Sequence, residues 1–289
     1  MNPREAERKE AVFSILVNLL IFAMRLIAGL MIRSSALIAD SVHGLSDSIT
    51  SIGVLASSKI AAKPADREHP FGHGKAADLG SLLIGVVLFI IGGLFFINGI
   101  DALLSPSPLN TDFFVEAIAV TLLTVAIKYY NYMYAKNLAT LGKSNLCMAD
   151  ALHHKLDALI TLGASVGITI EALTGISRLD GILTIIISAF VLYEGGELIT
   201  KILGPLMDRN VEDVAERVRS LALSVNGVRD VVDVKVRESG GEFLIELVLK
   251  MDGGIPLTEA HAVTEKVEME IREKIPRVIE VHIHEEPSV

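Results

Sequence analysis

The chain has 289 residues, of which 51% are hydrophobic and 21% charged, and its formal net charge is −9. Its single cysteine, Cys147, excludes an intrachain disulfide and a cage of thiolate metal ligands. Residues 206–289 hold 18 acidic and 11 basic residues, a net of −7, whereas apolar runs dominate residues 1–205. We therefore expect a membrane domain over 1–205 that contacts the lipid bilayer and a soluble domain over 206–289. The acidic balance excludes nucleic acid as a partner.

Six stretches of the first part are long and apolar enough to span a membrane, which takes about 20 residues as a helix. They are residues 11–32, 36–61, 78–104, 113–135, 147–173 and 179–204. The charged amino terminus leads into the first stretch without a small-residue cleavage site, which predicts a retained helix. Basic residues cluster before the first stretch and around the second and fourth connections, so both termini should be cytoplasmic.

The last part of the chain reads in the order α-β-β-α-β. The predicted segments are a helix over 211–223, strands over 231–237 and 243–251, a helix capped by Thr258, and a strand over 279–283. Two helices on one face of a three-stranded sheet would form a small α+β domain. The predicted fold is a six-helix all-α membrane bundle followed by this α+β domain in the cytosol.

One motif, A-D-x-x-H-x-x-x-D, occurs in both the second and the fifth helix. It places His43 and Asp47 one turn apart on one helix face, and His153 and Asp157 likewise. Two imidazoles and two carboxylates are a ligand set that a tetrahedral zinc ion takes. The two helices run in opposite directions, as expected for inverted halves that build a substrate site near the midplane. The alternative is that these pairs join helices by hydrogen bonds, but intramembrane charges cost about 2.5–3.5 kcal/mol each, and their repetition favours an ion site.

Four further polar side chains fall in or near these helices. Asp40 and Asp150 lie three residues before the two motif histidines and either orient the imidazoles, line a water path or join helices. His154 points away from the ligand face, which indicates a packed or solvent-facing side chain. Arg25 in the first helix should form a salt bridge or extend to an interface.

The paired motifs, the six helices and the loop sequence from Pro64 to Lys75 resemble the cation diffusion facilitator family over nearly the whole chain. The resemblance implies a metal-cation/proton antiporter of the zinc-transporter type that works as a homodimer, with a ferredoxin-like cytosolic domain for regulation and dimerisation. It also implies one transport site in each subunit, formed by His43, Asp47, His153 and Asp157. Two histidines suit zinc, whereas harder oxygen ligands suit manganese. Zinc would thus be the transported ion, and a regulatory one, rather than a cofactor; cobalt, cadmium, nickel, iron and manganese are the alternatives.

The resemblance also implies a second metal site in the loop after the second helix, formed by Asp66, His69 and His73. The alternative is that these histidines are exposed and bind nothing. Lys75 and Asp208 resemble the family's interlocking salt bridge, where the membrane domain meets the soluble domain.

A third site in the cytosolic domain is implied only in part. His261, His284 and Glu286 match the family's ligands, and His282 lies nearby. Val232 and Val248, however, stand where members with a two-metal site carry histidines. Either one metal binds at a dimer interface, or His261 caps its helix and the other histidines simply alternate along a strand.

These observations predict alternating access, in which protons compete with the metal for its ligands and an inward proton gradient drives the metal out. An intramembrane metalloenzyme would need a motif such as H-E-x-x-H, which the sequence lacks, so we expect no enzymatic activity. A membrane-anchored metal sensor would leave the intramembrane ligands unexplained. The expected location is the inner or plasma membrane, with the soluble domain in the cytoplasm.

Overall fold

Within the described residues, eleven helices and strands follow the predicted order. The computed structural model describes residues 3–61, 63–142 and 145–288, except the side chains of residues 3–5, 7, 8, 47, 50–56, 58, 145, 146 and 149. The six long helices are α1 (Pro3–Ile32), α2 (Ser35–Ala61), α3 (Lys75–Leu104), α4 (Phe114–Gly142), α5 (Asn145–Thr174) and α6 (Leu179–Leu206). The tail contains α7 (Glu212–Leu223), β1 (Asp230–Ser239), β2 (Glu242–Asp252), α8 (Leu257–Lys274) and β3 (Val278–Ser288).

Contacts divide the chain into two compact units. The first consists of Met1–Val54 and Leu83–Leu198, and the second of Leu55–Leu82 and Ile199–Val289. The second unit therefore combines the connection between α2 and α3 with the whole α+β domain.

The long helices have apolar surfaces. Within the part of the chain that the structure describes, α1, α3, α4, α5 and α6 are long and apolar enough to cross a membrane. Leucine, isoleucine, valine and phenylalanine side chains line their exposed faces, as at Leu83 on α3 and Leu162 on α5. Apolar faces of this kind are stable against lipid. An α-helix also forms its backbone hydrogen bonds within itself, as the core of a bilayer requires.

A buried ion pair joins four helices of the first unit. Nη1 of Arg25 on α1 lies 3.2 Å from Oδ2 of Asp40 on α2, and both side chains are buried. Nε of Arg25 donates to Thr124 on α4, and Thr161 on α5 donates to Asp40. The salt bridge expected for Arg25 is thus confirmed. The described contacts of Asp40 support its role as a link between helices.

The start of α2 is fixed by a side chain from α6. Oδ1 of Asp180 accepts a hydrogen bond from the Ser34 hydroxyl at 2.5 Å, and Oδ2 accepts one from the Ser35 backbone N–H at 2.8 Å. The backbone N–H of Asp180 donates in turn to Glu171 on α5. A carboxylate at a helix N-terminus satisfies backbone donors that have no partner within the helix. This contact sets the position from which α2 runs towards His43.

Helices α3 and α6 approach each other closely at glycines. A Cβ atom added to Gly92 would lie 2.8 Å from the backbone nitrogen of Leu192, and one added to Gly195 would lie 2.7 Å from that of Phe89. Small residues allow helix backbones in membranes to pack this tightly.

The α+β domain has the sheet order β1-β2-β3, with β1 antiparallel and β3 parallel to β2. Alternate residues of β2, from Phe243 to Met251, pack with α7 and α8 in one apolar core. Gly240 and Gly241, with φ of 61° and 82°, make the turn between β1 and β2. Pro256 rather than Thr258 precedes the first helical residue of α8. Its carbonyl accepts the first hydrogen bonds of the helix, from Glu259 and Ala260, so the helix begins earlier than the expected cap.

Candidate metal sites

The repeated motif brings three ligand side chains together between α2 and α5. Nε2 of His43 lies 3.6 Å from Oδ1 of Asp157, and Nε2 of His153 lies 3.7 Å from Oδ2 of the same carboxylate. His43 and Asp157 are buried, whereas the His153 side chain is 41% exposed. Ligand atoms of a tetrahedral zinc site are about 3.3 Å apart, given zinc–ligand distances of about 2.0–2.2 Å. Each histidine nitrogen thus lies close to one oxygen of Asp157, but one ligand atom from each of the three side chains does not lie within 4.8 Å of both others. The three side chains would have to move closer together to hold one metal ion. Asp47 lies one turn after His43 in α2, and its side chain is outside the described residues.

A carboxylate on α6 lies behind His43. Oε2 of Glu194 is 3.4 Å from Nδ1 of His43, on the side of the ring away from Asp157. Histidine ligands of metals commonly donate their second N–H to a carboxylate, which fixes the tautomer and the orientation of the ring. We did not anticipate Glu194 from the sequence. The available signal was an acidic residue within the apolar stretch 179–204.

A lysine from α4 also reaches the site. Nζ of Lys128 lies 2.9 Å from Oδ2 of Asp157 and donates a hydrogen bond to Oδ1 of Asn18 on α1 at 2.8 Å. Its side chain is completely buried. Sequence reasoning missed this residue as well, although it is the one charged side chain between Phe113 and Ala135 other than Glu116.

His154, next to the motif histidine, belongs to a different polar cluster. Its Nε2 atom lies 3.0 Å from the hydroxyl of Ser14 and 3.3 Å from Oε1 of Glu10, both on α1. Asn131 on α4 donates to the same hydroxyl. His154 is buried, so of the two alternatives the packed one is confirmed.

The loop between α2 and α3 gathers Asp66, His69 and His73. One ligand atom from each lies within 4.8 Å of the others, and these three form the one such cluster found among the described residues. Nδ1 of His69 is 3.5 Å from Oδ1 of Asp66, and Nε2 of His73 is 3.4 Å from Oδ2. The backbone N–H groups of His69 and Glu68 donate to Oδ1. They hold the pKa of the Asp66 carboxyl below its ordinary value, so it is ionised at neutral pH.

Local contacts orient this loop. Nδ1 of His73 lies 3.2 Å from the carbonyl oxygen of Pro64, which leaves Nε2 directed at Asp66. Gly74 follows at once, and a Cβ atom there would lie 2.8 Å from the hydroxyl of Ser239 at the end of β1. The loop thus packs directly on the turn of the α+β domain.

The expected salt bridge between Lys75 and Asp208 is present. Nζ of Lys75 lies 2.9 Å from Oδ1 of Asp208, and Nη1 of Arg237 on β1 lies 3.3 Å from Oδ2. The hydrogen bond from Lys75 lowers the pKa of the Asp208 carboxyl. Asp208 has a φ of 55°, a backbone conformation that aspartate tolerates better than most residues. The carboxylate therefore links the start of α3, the segment after α6 and strand β1.

The candidate ligands of the α+β domain are dispersed within one chain. His261 on α8 is exposed, and its Nε2 atom lies 3.6 Å from Glu265 one turn later. His284 on β3 pairs with Val248 on β2, and Glu286 pairs with Lys250. His282 is 2.9 Å from Glu280. His261, His284 and Glu286 do not form a three-ligand cluster in the described chain.

Comparison with known proteins gives matches along nearly the whole chain. Residues 11–207 match the family model described as the cation efflux transmembrane domain, and residues 211–288 match the one described as the cytoplasmic domain of cation efflux proteins. Manganese efflux system protein MneP of Bacillus subtilis (strain 168) is 28% identical, with 98% of this chain and 97% of that protein covered. Metal tolerance protein C1 of Arabidopsis thaliana is 30% identical over 91% of this chain and 58% of that protein. Cation-efflux pump FieF of Cronobacter sakazakii is 28% identical, with 96% of this chain and 92% of that protein covered.

Both matched domains agree with the order of elements in the structure, and the family resemblance seen in the sequence is confirmed. The α+β domain is accordingly the cytoplasmic part of a multi-span membrane protein. Because one model covers most of the helices and the other the remaining tail, the chain belongs to the cation diffusion facilitator family of cation-efflux transporters.

Proposed function

We propose that the protein exports a divalent transition metal, zinc first, in exchange for protons. The observation that carries the proposal is the convergence of His43 and His153 on the two oxygens of Asp157. Asp47, one turn from His43, would supply the fourth ligand. Mixed imidazole and carboxylate ligands suit zinc, and a site buried among helices suits a carried ion.

Zinc is favoured over harder cations because two of the four proposed ligands are imidazoles. The names of the relatives include manganese efflux and general cation efflux, so manganese is an alternative for this chain. Iron, cobalt, cadmium and nickel are further alternatives, because the ligand set does not separate them from zinc. A comparison of these ions in one transport assay separates them.

Proton exchange follows from the chemistry of the ligands. Imidazole and carboxylate groups bind metal only when deprotonated, so protons and metal compete for the same atoms. If the site opens alternately to the two sides, an inward proton gradient favours release of metal outside. Glu194 would assist by holding His43 in the tautomer whose Nε2 faces the site.

We propose that residues 1–205 form the transport domain and that residues 206–289 regulate and dimerise the protein. The family model matched by the tail supports a cytoplasmic role for it. His261, His284 and Glu286 are proposed ligands for a regulatory metal that completes its coordination across a homodimer. The loop site of Asp66, His69 and His73 is proposed to bind a further metal ion on the cytoplasmic side. Lys75 and Asp208 would hold the transport and cytoplasmic parts together.

The experiment is metal flux into proteoliposomes that contain a metal-sensitive dye, with and without an imposed pH gradient. Wild type is compared with Asp157→Ala and with Asp112→Ala, which removes an exposed aspartate between α3 and α4. We expect zinc flux that follows the gradient, survives in Asp112→Ala and disappears in Asp157→Ala. Flux that persists in Asp157→Ala would exclude the proposed site, and absence of flux for every metal would favour a sensor.

A further inference from the structure

We infer that Lys128 is a tethered counter-ion of the transport site and that a metal ion binds by displacing its ammonium group from Asp157. This inference rests on the proposed function, because it assigns a role to a residue within the same site. Lys128 is not one of the ligands expected from the repeated motif; it comes from α4.

Lys128 is unusual first in its burial. Its side chain is 0% exposed, and it is among the largest fully buried side chains of the described chain. Burial of an ammonium group costs several kcal/mol unless it is paired and hydrogen-bonded. Lys128 meets this condition through Asp157 and Asn18. A group held in place at that cost, next to a proposed metal ligand, calls for a functional explanation.

The ammonium group and a metal ion would compete for the same carboxylate oxygen. Oδ2 of Asp157 is 2.9 Å from Nζ of Lys128, and it is also the oxygen that faces Nε2 of His153. Ligation by Oδ2 and His153 together would bring the metal within a few Å of the ammonium group. At that separation two positive charges in a poorly hydrated site repel each other strongly. The ammonium group must therefore move away as the metal enters.

Asn18 is the partner that the ammonium group can keep when it moves away from Asp157. Oδ1 of Asn18 on α1 already accepts a hydrogen bond from Nζ at 2.8 Å, and Asn18 is buried. The ammonium group can thus keep a partner on α1 after it releases Asp157 on α5. Lysine suits this role because it is a compact charge on a flexible four-carbon stem, whereas the planar guanidinium of arginine favours one fixed geometry. Its return to Asp157 would help to expel the metal and would neutralise the empty site.

The inference predicts opposite effects for two substitutions at Asn18. Asn18→Asp gives the ammonium group a second carboxylate, so Asp157 is released more readily and zinc should bind about tenfold more tightly. Asn18→Leu removes the alternative acceptor, so zinc should bind about tenfold more weakly. Lys128→Met removes the competitor, and we expect tighter binding together with slower release. Each is measured as the equilibrium zinc affinity and the zinc dissociation rate of the purified full-length protein.

Two controls sharpen the test. Lys136→Met removes an exposed lysine of α4, whose Nζ donates to Tyr132, and should leave zinc affinity unchanged. The double variant Lys128→Met with Asn18→Asp should lose the gain caused by Asn18→Asp, because that gain acts through Lys128. If the gain persists in the double variant, the new carboxylate binds the metal directly and the inference is wrong.

The remaining outcomes are also decisive. A purely structural Lys128 would weaken binding in both Asn18 variants, and unchanged affinities would likewise overturn the inference. If Lys128→Met does not fold, Lys128→Gln, which keeps a hydrogen-bond donor but no charge, takes its place in the single and the double variant. Failure of the proposed function is recognised separately, because wild type would then show no zinc binding or Asp157→Ala would bind as many zinc ions per chain as wild type.

Discussion

Nδ1 of His43 lies 3.4 Å from a carboxylate oxygen of Glu194, while Nε2 of the same ring lies 3.6 Å from Asp157. The imidazole therefore connects a carboxylate on α6 to the proposed metal position between α2 and α5. A tautomer with the proton on Nδ1 would direct its N–H at Glu194 and present the Nε2 lone pair to a metal ion at the proposed position. Glu194 is 31% exposed, whereas His43 is buried, so the carboxylate also lies nearer to water than the ligand it orients.

The first prediction concerns this orientation. Glu194→Gln keeps the size of the side chain but removes its charge, and we expect a loss of metal affinity of about 10- to 100-fold. Isothermal titration of the purified protein with zinc measures the change. Glu116→Gln, at an exposed position near the start of α4, is the matched control and should bind as wild type does. Equal affinities for both variants would show that Glu194 does not support His43.

The second prediction concerns the loop site. Asp66→Asn retains an oxygen that can accept from the backbone N–H groups of Glu68 and His69, so the turn should persist. The charge between the two imidazoles is lost, and we expect about one fewer zinc ion bound per chain, because a carboxylate is the anionic ligand of the set. Metal analysis after equilibrium dialysis measures the number. Glu68→Gln removes an adjacent exposed charge and should leave it unchanged; an unchanged number in Asp66→Asn would contradict the site.

The third prediction concerns pH. Lys75 lowers the pKa of Asp208 in the folded protein, so the pair stabilises the fold above the ordinary aspartate pKa of about 3.9. That contribution is lost as the pH falls through the lowered folded pKa. Both side chains are 40% or more exposed, so solvent screening limits the effect to about 1 kcal/mol or less.

Asp208→Asn tests this linkage, because asparagine also tolerates the positive φ of this position. Thermal unfolding of the two proteins should differ most at neutral pH and converge at pH values below the ordinary aspartate range. Asp233→Asn, which alters an exposed pair with Lys235, provides a control for charge alone. A difference that grows on acidification would have the wrong sign and would refute the linkage.

The fourth prediction concerns helix packing. A Cβ atom at Gly195 would lie 2.7 Å from the backbone nitrogen of Phe89, whereas nothing lies within 4 Å of a Cβ atom at Gly163. Gly195→Ala should therefore force α3 and α6 apart and destabilise the protein by about 1–3 kcal/mol. Gly163→Ala should be neutral or stabilising by up to about 1 kcal/mol, because alanine favours the helix. Thermal unfolding in detergent compares the two, and equal effects would contradict the close approach of α3 and α6.

Much of the fold follows from local sequence. Apolar runs of about 20 residues predict membrane helices wherever they occur, and alternation predicts strands, since both patterns depend on neighbours along the chain. The expected elements are therefore present, with ends displaced by a few residues as at Pro256. The repeated motif was likewise visible without a structure. Because residues four apart share one helix face, its spacing also placed each histidine next to its aspartate.

The partners of the site could not be predicted in this way. His153 and Asp157 belong to one helix, so their spacing brings them together, but Lys128, Asn18 and Glu194 come from three others. Which of their faces meet Asp157 and His43 depends on the rotation and separation of whole helices. Contacts such as that of Gly195 with Phe89 and that of Asp180 with the start of α2 set these quantities. The sequence by itself determined the helices, the family and the candidate ligands; only the tertiary structure decided which charges face those ligands, because such pairing arises from packing between distant segments.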